Sequence, residues 1–356
     1  MKKLKKMMIG IFGIIIAVVL IIVTVLNLPQ FGRNPRGARL ERIMKSPQWK
    51  DGQFHNVHNT PTMTGKRGMM ANLWDFLFGK HPNRMPQQAI PTEKHDLKHL
   101  NPNKNLIVWF GHSSYLLQLG GKRILVDPVF YDAAPFSFAS KPFKGTDIFK
   151  PADMPEIDYL VITHNHYDHL DYKTVEELMP KVKQVICTLG IGEDFEYWGY
   201  PSKKITELDW WEKVSFADGL TFNSTPARHF SGRSINDQGK MLWGSFVVQY
   251  GSINIFLGGD SGYDTHFKQI GNKFGHINLA FMENGQYNKD WRYIHTLPGQ
   301  MVQECHDLGA DKVFSVHNSK FSLAYHAWNE PLKNEENMRK AGIHVIKAKI
   351  GQIVEY

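Results

Sequence analysis

Apolar and polar residues alternate differently in three successive parts of the chain. From Met7 to Leu26 about twenty uncharged, mostly apolar residues follow one another, which is the length of a helix that crosses the hydrocarbon core of a bilayer. The following stretch, "TVLNLPQFG", has no small-residue cleavage pattern, so an uncleaved anchor is predicted rather than a signal peptide. Residues 1–28 are therefore predicted to form a single N-terminal transmembrane helix.

The second part, residues 29–100, is predicted to be a linker and irregular extension. It is rich in Pro, Asn, His and Gly and keeps no sustained period. Within it, "MMANLWDFLFG" (69–79) has helix-like apolar spacing, which predicts a helix packed on the domain, with an interfacial helix that touches lipid as the alternative.

The third part, residues 101–356, is predicted to be the catalytic domain. Short β-rich segments bounded by turns come first, and strands then alternate with the helical patterns "TVEELMPKV", "DTHFKQIGNKF" and "LPGQMVQECHDLG". This order indicates an α+β domain in which packed sheets are flanked by helices, rather than one doubly wound sheet.

The charge distribution argues against a nucleic-acid partner. The net charge is +8, but ten Lys and Arg stand against Glu41 alone in the first fifty residues, which leaves 32 basic and 33 acidic residues (42 − 10 and 34 − 1) elsewhere. Four lysines before the apolar stretch favour a cytoplasmic N-terminus, so the catalytic domain is predicted to lie outside the cytoplasm at the cell membrane. Four arginines at 33, 36, 39 and 42 favour the opposite orientation. Cys187 and Cys305 are too few for a disulfide framework or a thiolate zinc site.

Several predicted strands end in side chains that can bind a metal. The segments "LVITHNHYDH", "STPARH", "FLGGD" and "VFSVH" supply His164, His166, Asp168, His169, His229, Asp260 and His317. These nitrogen and oxygen donors suit zinc, with iron or manganese as alternatives. Seven ligands exceed the needs of one tetrahedral ion, so two divalent metal ions are predicted.

The H-x-H-x-D-H motif, with three further ligands in order, resembles the metallo-β-lactamase superfamily. The resemblance implies an αββα four-layer sandwich with a two-metal site. It also implies that His164, His166 and His229 bind one ion, that Asp168, His169 and His317 bind the other, and that Asp260 bridges the two.

Further elements resemble the branch of N-acylphosphatidylethanolamine-hydrolysing phospholipase D. They are "WFGHSSYLLQLGGKRILVDPVF", "ELDWWE", "MLWGSFVV" and "GDSGYDTHFKQIGNKFG", and the likeness covers about residues 105–330. This resemblance implies a zinc-dependent phosphodiesterase acting on a membrane phospholipid, in which a metal-bridging hydroxide attacks phosphorus and releases phosphatidic acid. Asp168, Asp260 and His295 are the expected catalytic residues.

One stretch departs from that branch. Where the branch tends to have Gly-Ala-Tyr-x-Pro-Arg, this chain has "ENGQYNKDWRYIH", in which Tyr287 and His295 align but the arginine spacing differs. His112 and Asp127, together with Tyr287, are predicted to surround the metals or to contact substrate. Asp127 is expected to orient a ligand histidine.

Two other functions remain open at this point. One is a lactonase of the same fold, similar to ascorbate-6-phosphate lactonase, which the metal ligands alone cannot distinguish from a phosphodiesterase. The other is a catalytically silent, membrane-tethered binding protein. The presence of all seven predicted ligands argues against this alternative. Assembly into a homo-oligomer also stays open.

Overall fold

A computed structural model describes residues 2–65, 74, 75, 78, 79 and 81–356 of the chain. The apolar N-terminal stretch forms helix α1 (Lys2–Leu26). Within Lys3–Leu26, an 18-residue window has a mean hydropathy of 3.3 and is not buried against the rest of the protein, so among the described residues this segment alone is long and apolar enough to cross a membrane. A signal sequence near the N-terminus would have the same properties.

The other helices and strands include those that the pattern predicted and several short ones that it did not. The helices are α2 (Gly37–Ile43), α3 (Tyr172–Leu178), α4 (Gly192–Tyr197), α5 (His266–Phe274), α6 (Met301–Leu308) and α7 (Glu330–Lys340). The strands are β1 (Trp49–Lys50), β2 (Gln53–Phe54), β3 (Leu106–Trp109), β4 (Tyr115–Leu119), β5 (Lys122–Val126), β6 (Ile157–Ile162), β7 (Val182–Thr188), β8 (Ile205–Leu208), β9 (Lys213–Ser215), β10 (Leu220–Thr225), β11 (Ser245–Tyr250), β12 (Ile253–Leu257), β13 (Leu279–Glu283), β14 (Lys312–Val316), β15 (His344–Ile346) and β16 (Ile353–Glu355).

The long strands form two seven-stranded mixed sheets, besides the small β1–β2 hairpin. The first sheet has the order β16-β3-β4-β5-β6-β7-β8, and the second has the order β15-β14-β13-β12-β11-β10-β9. In each sheet an antiparallel half adjoins a parallel half, β5 to β8 in the first and β12 to β15 in the second. The carboxyl ends of parallel strands meet at one edge, which prepares a site there.

The two sheets pack face to face over a continuous apolar core. Alternate residues of each sheet point into this layer, as in β4, where Tyr115 stacks on Phe281 of β13 with ring centroids 3.9 Å apart. Helices cover both outer faces. Val175 and Leu178 of α3 pack on the first sheet, and α5, α6 and α7 pack on the second. The predicted αββα sandwich is confirmed.

The segment predicted as a linker and irregular extension packs against the sandwich wherever it is described. It holds little regular structure, but Ile43, Phe54, Leu97 and Leu100 are buried. Apolar residues spaced without a period can still reach a core when short turns carry them there, which explains why periodicity missed this packing. Most of the predicted helix at 69–79 lies outside the described residues.

Candidate metal centre

All seven predicted metal ligands converge on one place between the two sheets. The loop after β6 carries His164, His166, Asp168 and His169, whereas His229, Asp260 and His317 follow β10, β12 and β14. Since these strands end at the same side of the sandwich, side chains that are far apart in sequence become neighbours.

Three histidines form the first group. Nδ1 of His166 lies 3.0 Å from Nε2 of His164 and 3.1 Å from Nε2 of His229. One nitrogen from each ring lies within 4.8 Å of the others, which is the spacing that a shared metal ion requires.

The second group surrounds Asp168. Its Oδ2 lies 3.3 Å from Nε2 of His317 and 3.7 Å from Nε2 of His169. His112, from the turn between β3 and β4, lies even closer, with its Nε2 2.9 Å from the same oxygen. The structure therefore adds His112 to this group as a fourth candidate ligand.

Asp260 lies between the two groups. Its Oδ1 is 3.0 Å from Nε2 of His169. Its Oδ2 is 3.3 Å from Nε2 of His317 and 3.8 Å from Nε2 of His229. One carboxylate thus contacts histidines of both groups, which is the position that a bridging ligand needs.

The glycine before Asp260 permits this approach. A Cβ placed on Gly259 would lie 2.8 Å from Cβ and Oγ1 of Thr163 and 2.8 Å from the carbonyl oxygen of Gly244. Only a residue without a side chain lets the β12 loop pass this close to the loop after β6. The "GGD" sequence therefore serves the close packing of two ligand-bearing loops.

Hydrogen bonds from Nδ1 orient the rings of His169 and His229. Asp127 accepts a hydrogen bond at Oδ2 from Nδ1 of His169, 2.8 Å away, and another from the hydroxyl of Thr163 at 2.6 Å. Nδ1 of His229 donates to the carbonyl oxygen of Ile294 over 2.7 Å. A histidine that donates from one nitrogen presents the other as a lone pair, so these contacts prepare His169 and His229 for a metal.

Three residues of the centre adopt backbone angles that are unusual for residues with side chains. The φ angles are 53° at His112, 40° at Asp127 and 66° at His317. Left-handed conformations of this kind cost free energy and persist where the surroundings hold them, often at functional sites. Reciprocal bonding holds the turns of His112 and His317, since the amide of His317 donates to the carbonyl of His112 and the amide of His112 donates to that of Asn318. The amide of Asp127 donates to the carbonyl of Val161.

The electrostatics of the centre favour bound cations. Burial lowers the pKa of His164 and His229 well below the usual range, so both rings are neutral donors of a lone pair. Burial also opposes the charged form of His317, but the carboxylates of Asp260 and Asp168 outweigh it and raise its pKa to about 10. The carboxylates thus create a potential that stabilises positive charge between the groups.

The buried polar atoms also fit metal ions. Nε2 of His169 and Oδ1 of Asp260 are both buried, and neither has a hydrogen-bond partner of acceptable geometry although they lie 3.0 Å apart. Buried polar atoms without partners are rare, and a bound ion accounts for them. The nitrogen and oxygen donors suit divalent ions such as zinc, iron or manganese.

Glu283 is a buried member of the centre that the sequence reasoning missed. It ends β13 and accepts at Oε1 from Nδ1 of His295 over 2.5 Å and at Oε2 from the amide of Ser261 over 2.7 Å. Its Oε1 is also 3.5 Å from Nδ1 of His317. The signal was available, because Glu283 follows the apolar run "INLAFM" as the other ligands follow theirs.

Tyr287, which was predicted from sequence to surround the metals or to contact substrate, does not reach the cluster of candidate ligands. Its hydroxyl donates to Oε1 of Glu330 at the start of α7 over 2.6 Å, and its ring stacks on His326. His295 does reach the centre, with Nδ1 3.9 Å from Oδ2 of Asp260.

A cavity of about 330 Å³ opens onto the cluster. His166, Asp168, His229, Asp260, His295 and His317 line one part of it. The rest of the lining is mainly apolar and includes Met63, Phe230, Trp291, Ile294 and Leu323. The cavity can therefore hold a ligand that joins a charged or polar group to an apolar chain.

Comparison with known proteins agrees with this geometry. Residues 122–318 match the family described as the Beta-lactamase superfamily domain. An uncharacterized protein of Mycobacterium tuberculosis is 33% identical over 81% of this chain and 78% of its own. N-acyl-phosphatidylethanolamine-hydrolyzing phospholipase D 1 of Caenorhabditis elegans is 30% identical over 81% of this chain and 84% of its own. The resemblance predicted from sequence is confirmed at this level.

Solved structures support the fold alone. A metallo hydrolase from the archaeon Ignicoccus hospitalis superposes with a TM-score of 0.53 at 20% identity, over 71% of this chain and 98% of that one.

Proposed function

Because this chain belongs to the β-lactamase superfamily and has the metallo-β-lactamase fold, we propose that it is a dinuclear metal hydrolase that cleaves a membrane phospholipid as a phospholipase D does. The observation that carries the proposal is the position of Asp260, whose two oxygens contact histidines of both ligand groups at the floor of a half-apolar cavity.

In this proposal His164, His166 and His229 would hold one divalent ion. Asp168, His169 and His317 would hold the other, with Asp260 shared between the two. When bound, such ions lower the pKa of water and stabilise charge on a phosphoryl oxygen. Zinc suits the donor set best, and iron or manganese would serve as well.

His295 is proposed to move the proton. Glu283 accepts from Nδ1 of His295, so the other ring nitrogen, Nε2, is left to exchange a proton with the substrate. Cleavage on the headgroup side of a phosphodiester releases an alkoxide; Nε2 would first accept the proton lost by the attacking water and would then pass it to this alkoxide. Asp168 keeps its charge in the fold, since His169, His112 and His317 hold the pKa of its carboxyl well below the usual range against the effect of burial.

The substrate class rests on two supports. The apolar side chains of Met63, Phe230 and Trp291 line the same cavity as the polar cluster, which suits a lipid with its scissile phosphate at the ligands. The relative in Caenorhabditis elegans is named as an N-acyl-phosphatidylethanolamine-hydrolyzing phospholipase D. Helix α1 is proposed to anchor the domain at the membrane that supplies this substrate.

The test offers the purified full-length protein two phospholipids, N-acylphosphatidylethanolamine and phosphatidylethanolamine, and a panel of lactones, each at equal concentration in mixed micelles. The Asp260→Asn variant serves as the control for contaminating activity. We expect mass spectrometry to detect phosphatidic acid and the released headgroup amide or amine with the native protein only.

A different outcome would support the lactonase alternative. If a lactone is hydrolysed with a kcat/KM about a hundredfold above that of every phospholipid, roughly 2.7 kcal/mol of transition-state preference, the phospholipase proposal is wrong.

A further inference from the structure

Two apolar side chains stand out from the surface of the sandwich. Phe138 is 79% exposed and Ile235 is 78% exposed, the highest values among the large apolar side chains that the structure describes, helix α1 included. They lie on separate loops, between β5 and β6 and between β10 and β11. Single exposed apolar residues are ordinary, but the placement of this pair is not random.

Both loops are bonded to the same residue, Gln30, just after α1. Its side-chain amide donates to the carbonyl of Pro135, in the loop of Phe138, over 3.3 Å. Its carbonyl accepts from Nε and Nη2 of Arg233, in the loop of Ile235, over 3.0 and 2.8 Å. Rings reinforce the first contact, since Phe31 lies edge-on to Phe136 with centroids 6.0 Å apart and Phe136 stacks on Phe138.

The segment after α1 is itself held firmly on the domain. Arg33 and Arg39 both pair with Glu193 of α4, at 2.6 and 2.9 Å, and the Glu193 side chain is only 3% exposed. Arg39 also pairs with Glu207 of β8 at 2.7 Å. The end of the apolar helix therefore keeps a defined position relative to both loops.

With α1 across the bilayer, its length places the loops of Phe138 and Ile235 at the bilayer surface. A segment of 24 residues spans about 36 Å as a helix, slightly more than the hydrocarbon core of about 30 Å. Gln30 follows Leu26 by four residues, so it lies within about 14 Å of the helix end. The loops bonded to Gln30 must then lie in or beside the headgroup layer.

We propose that Phe138 and Ile235 insert into the lipid headgroup boundary beside α1 and hold the metal-bearing loop against the membrane. Interfacial contacts of this type use exposed aromatic and aliphatic side chains. The metal-bearing loop is part of the same assembly, because the Tyr167 hydroxyl donates to the carbonyl of Arg233 over 2.5 Å and Arg233 donates to the carbonyls of Asn165 and Leu170. This inference rests on the proposed membrane anchor but not on the proposed substrate.

The experiment places a fluorescent probe at single introduced cysteines of the full-length protein. Both native cysteines, Cys187 and Cys305, are buried and will not compete for the label. The test variants are Phe138→Cys and Ile235→Cys. The matched control is Ile353→Cys, which is 36% exposed on β16. Strand β16 is at the opposite edge of its sheet from β8, about 29 Å away. Ile15→Cys in α1 reports on the anchor itself.

The labelled proteins are reconstituted into phosphatidylcholine and phosphatidylglycerol vesicles, with either nitroxide-labelled lipid or aqueous iodide as the quencher. Lipid nitroxide should remove about half or more of the emission at 138 and 235, since interfacial side chains lie about 5–10 Å into the headgroup boundary. At 353 only iodide should quench.

Three results would overturn the inference. Probes at 138 and 235 that respond to iodide as the probe at 353 does would place them in water. Probes that respond to neither quencher would place them in a protein interface. A probe at 15 that lipid nitroxide does not quench would remove the anchor and this inference with it, while leaving the hydrolase proposal to its own assay.

Discussion

At the scale of single residues, the centre depends on buried carboxylates that act through histidines. Asp127 and Glu283 each accept a hydrogen bond from the Nδ1 of a histidine at the cluster, and both are almost fully buried. A buried carboxylate that is lost leaves its donors unsatisfied and releases the ring that it orients. Their roles can be tested one residue at a time.

Glu283→Gln should lower kcat about 10- to 100-fold, the usual cost of losing a group that orients the ligands of a metal centre. A glutamine offers one oxygen where Glu283 accepts from both His295 and the Ser261 amide, so one donor loses its partner. Steady-state kinetics with metal analysis on the same samples will measure the effect.

Glu304→Gln is the matched control for this substitution. Glu304 is equally buried, but burial raises its pKa well above the usual range, so a neutral glutamine resembles the native side chain. Equal loss of turnover in both variants would mean that Glu283 serves packing only.

At the scale of elements, the segment after α1 belongs structurally to the sandwich. Arg33 and Arg39 pair with Glu193 and Glu207, and Arg233 bonds to the carbonyl of Gln30. The division into anchor, extension and catalytic domain at residues 28 and 100 stays a prediction, but the described contacts cross the boundary at residue 100.

Two truncations test the importance of this segment. Removal of residues 1–27 deletes α1 and keeps the Gln30 and arginine contacts, so hydrolysis of a water-soluble phosphodiester should survive. Removal of residues 1–45 leaves Glu193 buried without its arginines, which should destabilise the fold by about 3–5 kcal/mol.

Chemical denaturation of the two truncated proteins will measure the difference. Arg39→Ala should reproduce much of the loss, whereas Arg36→Ala, whose side chain is 68% exposed, should not. Equal midpoints for both truncations would contradict the structural role of residues 28–45.

At the scale of the whole molecule, the metal ions are expected to add to the stability of the sandwich. The ligands come from loops of both sheets, so ions bound among them would link the two layers through His166 and His229 on one side and His169 and His317 on the other. A ligand that binds only the folded state at a thousand times its Kd stabilises it by about 4 kcal/mol.

Elemental analysis of protein purified without chelator should therefore give close to two equivalents of zinc, iron or manganese. Chelation should lower the Tm, and Asp260→Asn should bind fewer ions, show a smaller Tm response to chelator and lose hydrolysis. Asp311→Asn, an exposed residue paired with His276, is the control and should behave as the native protein does. Saturation at one equivalent with full activity would disprove the dinuclear site.

The sequence alone was sufficient to single out the seven candidate ligands, which the structure brings into one cluster, and to predict most of the sandwich. "THNHYDHLD" follows a strand of apolar residues, and His229, Asp260 and His317 follow others, so local periodicity and residue chemistry pointed to them without any knowledge of contacts. The strands and helices of the core are visible in the same way, because their buried faces repeat with a fixed period.

Only the tertiary structure decided how these groups are arranged and what surrounds them. It brought His112 to Asp168, turned Tyr287 away to Glu330, joined Glu283 to His295 and bonded Gln30 to Arg233 across 203 positions. Short elements such as α2 and β9 also escaped the pattern, because seven residues of helix or three of strand are too few to show a period. Periodicity records whether a side chain faces the core. Its partner across the fold is set by the packing of distant segments, and no local pattern contains that information.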